Sequence, residues 1–166
     1  MKSKKIFESI YLKYYPALLV YGKNITNDEM LIEDAIQELF ITLWKKQETL
    51  TIHSSFENYL FVAFRNNLIR KVKKNAMDEI TFDIIDEPTS NEIEGKEKKL
   101  KQFLEKLPPR QKEVLFLRYY QNKSYFEIAE ILGISYQVAR NFSYRAIKFL
   151  KKNMRNMYAV LMSIAV

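Results

Sequence analysis

The chain has 166 residues, 27 basic against 20 acidic for a net charge of +7, no cysteine, one histidine and three glycines. The absence of cysteine excludes a disulfide framework, a thiolate metal site and a cysteine nucleophile. The length allows one domain or two small ones, and scarce glycine together with long stretches of helical periodicity predicts an all-α protein.

The chain opens on MKSKKIFESIYLKYY, which is charged and aromatic and lacks the apolar core of a signal peptide. No apolar run in the sequence reaches membrane-spanning length. The expectation is a cytoplasmic protein without membrane insertion. Helices are predicted over about 4–22, 27–47, 55–74, 93–106, 109–121, 125–132 and 135–155. Three capping boxes mark helix starts: Thr26-x-x-Glu29, Ser54-x-x-Glu57 and Ser124-x-x-Glu127. Pro108-Pro109 suits a further entry, because proline at the first helical position loses no hydrogen bond.

In the second predicted helix, Ile32, Ile36, Leu39 and Leu43 form a core stripe that Phe40 and Trp44 widen. Asp34, Gln37, Glu38 and Ile41 share another face. An isoleucine among acids on an outer face suits a partner helix with basic and apolar residues. Taken alone, the stretch better fits a solvated face with one stray apolar residue. A polar-aromatic loop follows, around His53, Ser54, Phe56 and Asn58. The next helix ends in Arg65, Asn66, Asn67, Arg70, Lys71, Lys73 and Lys74. Basic residues there stabilise the helix dipole, and beside an aromatic loop they also suit a nucleic-acid groove with a base-stacking pocket. His53 has no second histidine or cysteine at metal-ligand spacing, so it reads as a loop residue and no metal is expected.

The charge then changes sign. Residues 1–75 carry a net +4, residues 76–106 a net −4 and residues 107–166 a net +7. The stretch from Ala76 to Gly95 contains seven acids and no base, with Pro88 and a Thr-Ser-Asn cluster, and reads as a linker. The predicted domains are 1–75 and 94–166, joined by an acidic linker over 76–93. Ile80, Phe82, Ile84 and Ile85 are too apolar for a purely solvated tether, so part of the linker is expected to dock.

In the C-terminal half, Ile128, Ala129 and Leu132 face inward, Gly133 supplies a turn, Ile134 plugs the core and Ser135 caps the next helix. Ala139, Phe142, Ala146 and Phe149 continue the buried stripe. Gln137, Arg140, Asn141, Tyr144, Arg145 and Lys148 are left facing out. This is a helix-turn-helix pattern whose second helix fits the major groove. Arginine can grip a guanine edge with two hydrogen bonds, and asparagine or glutamine an adenine edge. Lys148, Lys151 and Lys152 are placed to neutralise phosphates. The tail from Met157 to Val166 is apolar, too short to span a membrane, and is expected to extend the last helix.

Taken together, the two halves resemble a bacterial RNA polymerase sigma factor of the extracytoplasmic-function (ECF) type. IEDAIQELFITLW resembles the region 2 polymerase-binding helix, D-x-x-Q-E-x-F-x-x-L-W, matched by Asp34, Gln37, Glu38, Phe40, Leu43 and Trp44. YLFVAFRNNLIRK is similar to the next region 2 helix, with Arg65-Asn66 in place. LPPRQKEVLFLRY and EIAEILGIS resemble region 4. The resemblance implies that Asp34, Gln37, Glu38 and Ile41 face the polymerase clamp. It implies that residues 51–58, with His53, Ser54, Phe56 and Asn58, capture a flipped base of the minus-ten element, and that Arg65, Asn66, Asn67 and Arg70 hold its upstream edge. It implies minus-thirty-five contacts by Ser135, Gln137, Arg140, Asn141, Tyr144, Arg145 and Lys148. The implied partners are core RNA polymerase, promoter DNA and an anti-sigma factor, with no cofactor and no catalysis. The sequence departs from the family pattern at Arg70, where aspartate is common, and at Tyr136 and Gln137, where small residues are common.

Two other readings are discriminated by particular features. A helix-turn-helix regulator that never binds polymerase has no need of the DAIQELFITLW helix. A nucleic-acid enzyme needs clustered metal-binding carboxylates, and only Asp34 and Glu38 share a face.

Overall fold

The structure, a computed structural model, describes residues 2–75, 82 and 94–164, with side chains over 5–74, at 82 and over 100–155. These residues form seven α-helices and one π-helical turn, with no strand among them. The expected linker over 76–93, apart from Phe82, lies outside the described residues. The chain divides into two compact units, the first built on residues 1–81 and the second on residues 82–129 and 133–166.

The first unit packs three helices, α1 (Lys2–Ile25), α2 (Glu29–Lys46) and α3 (Phe56–Asn75). Each packs on the other two. Leu18, Tyr21, Ile32, Ile36, Leu60, Phe61, Phe64 and Leu68 are fully buried between them. Helix α1 is longer than its periodicity predicts and runs through Pro16. Proline removes one backbone donor, and Pro16 itself is exposed. Gly22 sets the approach of α1 to α2. A Cβ there would lie 2.6 Å from Ile32 Cγ2 and 3.1 Å from Phe64 Cζ.

Two of the predicted caps are shifted. Helix α2 is capped by Asp28, whose Oδ1 accepts from the Leu31 N–H at 3.1 Å, while the Thr26 hydroxyl accepts from the Asp28 N–H. Helix α3 is capped by Ser55, which accepts from the Asn58 N–H at 3.1 Å, rather than by Ser54. In both cases adjacent polar residues compete for one role, and the backbone turn decides between them. Trp44 is also not a core residue. It is 40% exposed, with its ring edge-on to Phe7 at 5.0 Å, and Phe40 holds the buried position.

The second unit contains α4 (Glu94–Glu105), α5 (Pro109–Leu115), α6 (Tyr125–Leu132) as far as Ala129, and α7 (Tyr136–Ile164). Pro108 and Pro109 open α5 as expected. The predicted continuous helix to residue 121 instead widens after Leu115 into a π-helical turn, Phe116–Tyr120, closed by the Gln121 N–H on the Phe116 carbonyl at 3.1 Å. Tyr119 and Tyr120 stand exposed there while Phe116 and Leu117 stay buried. Asn122 follows with φ 53°, a conformation asparagine adopts more readily than most residues. The buried ring of Phe82 packs edge-on against Phe116 at 5.9 Å, so this linker residue docks on the second unit.

Ser124 and Glu127 form a reciprocal capping box. The Ser124 N–H donates to Glu127 Oε2 at 2.8 Å and the Glu127 N–H to Ser124 Oγ at 3.2 Å. Gly133, with φ 62°, ends α6, and the Ile134 N–H reaches back to the Ala129 carbonyl at 3.0 Å, the Schellman arrangement. Ser135 caps α7 by accepting from the Val138 N–H at 3.2 Å. Ala139 and Ala146 are fully buried, and Leu107, Leu115 and Ala146 form a cluster flanked by Leu104, Ile147, Phe149 and Leu150. Helix α7 continues through the apolar tail to Ile164, and the side chains of Met157, Leu161 and Ile164 lie outside the described residues. Among the described residues, no helix is long and apolar enough to cross a membrane.

Candidate polymerase and nucleic-acid interfaces

The α2 stripe Ile32, Ala35, Ile36, Leu39 and Leu43 is buried, which fixes the helix's rotation. Asp34, Gln37, Glu38 and Ile41 therefore fall on the opposite side, all exposed, with Ile41 at 53%. The two acids are not free charges. Lys71, reaching from α3, pairs with Asp34 Oδ2 and, at 2.9 Å, with Glu38 Oε1. Asn67 Nδ2 donates to Glu38 Oε2 at 3.0 Å, and Arg70 donates to Asn67 Oδ1 at 2.8 Å.

The result is one network, Asp34–Lys71–Glu38–Asn67–Arg70, crossing from α2 to α3. It joins two sets of residues that the sequence assigned separately. Hydrogen bonds from Lys71 and Asn67 hold the Glu38 carboxyl below its usual range. Bonds to Asp34 and Glu38 push the Lys71 ammonium up. Lys71 is the site residue that sequence reasoning left as part of a basic helix end. The available signal was two acids one turn apart on α2, whose like charges favour a cation reaching from a neighbouring helix.

Before α3, His53 is exposed and Ser54 half-buried. Phe56 is half-buried with its ring edge-on to Tyr14 at 5.9 Å. Asn66 and Arg70 are exposed and Asn67 is half-buried, whereas Asn58 and Arg65 are buried.

In the second unit, Gln137, Arg140, Asn141, Tyr144, Arg145 and Lys148 all lie exposed along α7. The buried alanines on the opposite side put them there. Ser135 is exposed too, with its hydroxyl engaged in the cap. Gln137 Nε2 donates to Asn141 Oδ1 at 3.3 Å, so the amide pair is held together. Tyr125, Gln137, Arg140, Asn141 and Tyr144 surround a surface recess of about 300 Å³. Behind it the Tyr125 hydroxyl donates to the buried Ser143 Oγ at 3.0 Å. Two further residues lie beside this face: exposed Phe126, to which sequence reasoning assigned no role, and half-buried Tyr136, noted there only as a departure from the family pattern. Their rings are stacked at 4.4 Å. Among the described residues, no group of three or more acidic or histidine side chains is placed to hold a metal ion.

Comparison with known proteins places the chain in a family. The family described as Sigma-70 region 2 matches residues 10–77, and Sigma-70, region 4 matches residues 97–150. The RNA polymerase sigma factor YlaC of Bacillus subtilis (strain 168) is 30% identical over 166 residues, covering 93% of this chain and 95% of the relative. The ECF RNA polymerase sigma factor SigM of the same organism is 28% identical over 152 residues, covering 87% of this chain and 92% of the relative. The fold is similar to that of the sigma factor RpoE from Bartonella quintana, solved in complex with the anti-sigma factor NepR. The TM-score is 0.66 at 21% identity, over 91% of this chain and 98% of that one. Two helical units, each carrying its own matched region in the order 2 then 4, together with a relative similar over nearly its whole length, make this chain a member of the sigma-70 family of RNA polymerase sigma factors, in the ECF group.

Proposed function

We propose that the chain binds core RNA polymerase through Asp34, Gln37, Glu38 and Ile41 and directs it to promoters through two separate DNA contacts. Residues 51–58, with His53, Ser54, Phe56 and Asn58, receive a flipped base of the minus-ten element. A base costs a few kcal/mol to extract from the stack, which a stacking, hydrogen-bonding pocket offsets. Arg65, Asn66, Asn67 and Arg70 hold the upstream edge of that element. Asn58 and Arg65 are buried and take part only when their side chains become accessible. Ser135, Gln137, Arg140, Asn141, Tyr144, Arg145 and Lys148 serve the minus-thirty-five element, arginines and amides at base edges and Lys148 at phosphates.

The factor performs no chemistry itself. It acts in the cytoplasm, and its partners are core polymerase, promoter DNA and an anti-sigma factor. The polymerase face belongs to a functional domain over 1–75 and the reading helix to one over 94–166, joined by the acidic linker over 76–93. The observation that carries the proposal is that one chain exposes both an acidic-apolar α2 face and a basic, amide-bearing α7 ridge. A regulator acting without polymerase has no use for the first. Co-elution with purified core polymerase, abolished by Ile41→Asp but not by Arg140→Ala, is the expected result. Failure of the wild-type chain to co-elute, or equal loss in both variants, overturns the assignment.

A further inference from the structure

The α6 residues that build the core, Ile128 and Leu132, are buried, yet Phe126, two positions before Ile128, is 72% exposed. Its ring is far from idle. It stacks at 4.4 Å on Tyr136, the first residue of the reading helix, with 28° between the planes. Tyr136 is held from a second side by Tyr125, edge-on at 6.3 Å, and Tyr125 is tied to the buried Ser143. Above Tyr136 sits Arg140, its guanidinium carbon 5.8 Å from the ring centre. Phe126 and Tyr136 thus form a stacked pair at the head of α7, with the Arg140 guanidinium over the Tyr136 ring and Tyr125 tied to Ser143 beside it.

The first turn of a helix-turn-helix reading helix is the part that meets base edges, and residues 107–166 carry a net +7. A large apolar ring exposed at that place, inside a cationic surface, matches one feature of the major groove. Thymine alone presents a methyl group there, and a phenyl ring is among the apolar partners it accepts. We propose that the Phe126–Tyr136 pair is a specificity determinant that packs on a thymine methyl group of the upstream promoter element. This rests on the reading of α7 as the minus-thirty-five helix. Tyr136 and Arg140 are four residues apart, about 6 Å along the helix. The thymine therefore lies within about two base pairs of the base edge that Arg140 grips. Tyr136 also positions Arg140, because the cation–ring contact restrains its long side chain before DNA arrives.

The test uses the full chain with core polymerase and promoters selected by that holoenzyme from a pool randomised in the upstream element. Each thymine of a selected element is replaced in turn by deoxyuridine, which removes only the methyl group and leaves the protein unchanged. One position is expected to weaken binding about threefold to fivefold with the wild-type factor. With Phe126→Ala or Tyr136→Ala the same replacement has little effect; reselection with Phe126→Ala loses thymine at that position only, and reselection with Tyr136→Ala also relaxes the base that Arg140 grips. No methyl effect at any position with the wild-type factor, or an undiminished effect in both variants, overturns the proposal. Should Arg140→Ala still reduce upstream selection in that case, this proposal fails alone. If Arg140→Ala and Arg145→Ala also leave selection unchanged, the reading of α7 fails with it.

Discussion

Replacing Lys71 by methionine keeps the side-chain stem and removes the charge that joins Asp34 to Glu38. The lysine side chain is 17% exposed, but the two acids are 55% and 47% exposed. Once freed they rehydrate, so the several-kcal/mol penalty of orphaning a buried charge does not arise. Each pair is a partly screened surface interaction of about 0.2–1 kcal/mol, and the substitution is expected to cost about 1 kcal/mol in all. For a unit of this size that lowers the melting temperature by about 4–8 °C. The sign of the pH dependence follows from the two shifts. The folded-state value of Glu38 is lowered, so its contribution is present above the ordinary carboxyl value near ~4.3 and fades as pH falls through the lowered one. The folded-state value of Lys71 is raised, so its contribution is present below about 10.4 and fades as pH rises through the raised one. The wild-type advantage over Lys71→Met should form a plateau across neutral pH, vanish at both extremes and shrink in high salt. Thermal unfolding of both proteins across pH and salt measures it. No difference at neutral pH and low salt refutes the reasoning, as does a loss above about 3 kcal/mol, which only a buried pair produces.

Ile41→Asp should leave the melting temperature unchanged, because the side chain is 53% exposed, while weakening affinity for core polymerase about tenfold or more in a binding titration. Arg140→Ala and Arg145→Ala should each cost about 1–3 kcal/mol of discrimination if the guanidinium reads a base, or weaken all sequences alike if it meets a phosphate; promoter competition at several salt concentrations separates the two. Gly22→Ala should destabilise the first unit by about 1–3 kcal/mol through overpacking, since the new Cβ meets Ile32 at 2.6 Å. Gly133→Ala meets nothing within 4 Å and should cost only about 1 kcal/mol, for its left-handed backbone; denaturant unfolding distinguishes the two.

What could be read from the sequence was whatever depends on periodicity and local chemistry. The α2 and α7 stripes fixed which residues face out, because a helix with a buried face has one rotation. Gly133, Ser135 and the Ser124–Glu127 box were legible because each satisfies backbone groups within its own few residues. The misses are of another kind. Asp28 and Ser55 displaced Thr26 and Ser54 as caps because the choice between neighbouring polar residues depends on the preceding turn. The π-helical turn at Phe116–Tyr120 leaves the apolar pattern of a helix nearly intact. Trp44 lies at the edge of the stripe that Phe40 occupies. The Lys71 network and the Phe126–Tyr136 stack join residues on different helices, and no spacing within one helix announces such a contact.

The central claim is that this chain turns core polymerase into a promoter-specific enzyme through two DNA contacts, one on each unit. Run-off transcription by purified core polymerase, with and without the chain, on a pool randomised at both promoter elements tests it most directly. Transcripts are expected to depend on the added chain, and recovered templates to share two separated elements. Substitution of Asn66 or Arg70 should alter the downstream element alone, and substitution of Arg140 or Arg145 the upstream one alone. Transcripts that do not depend on the chain, or a single recovered element indifferent to one of these pairs, contradict it.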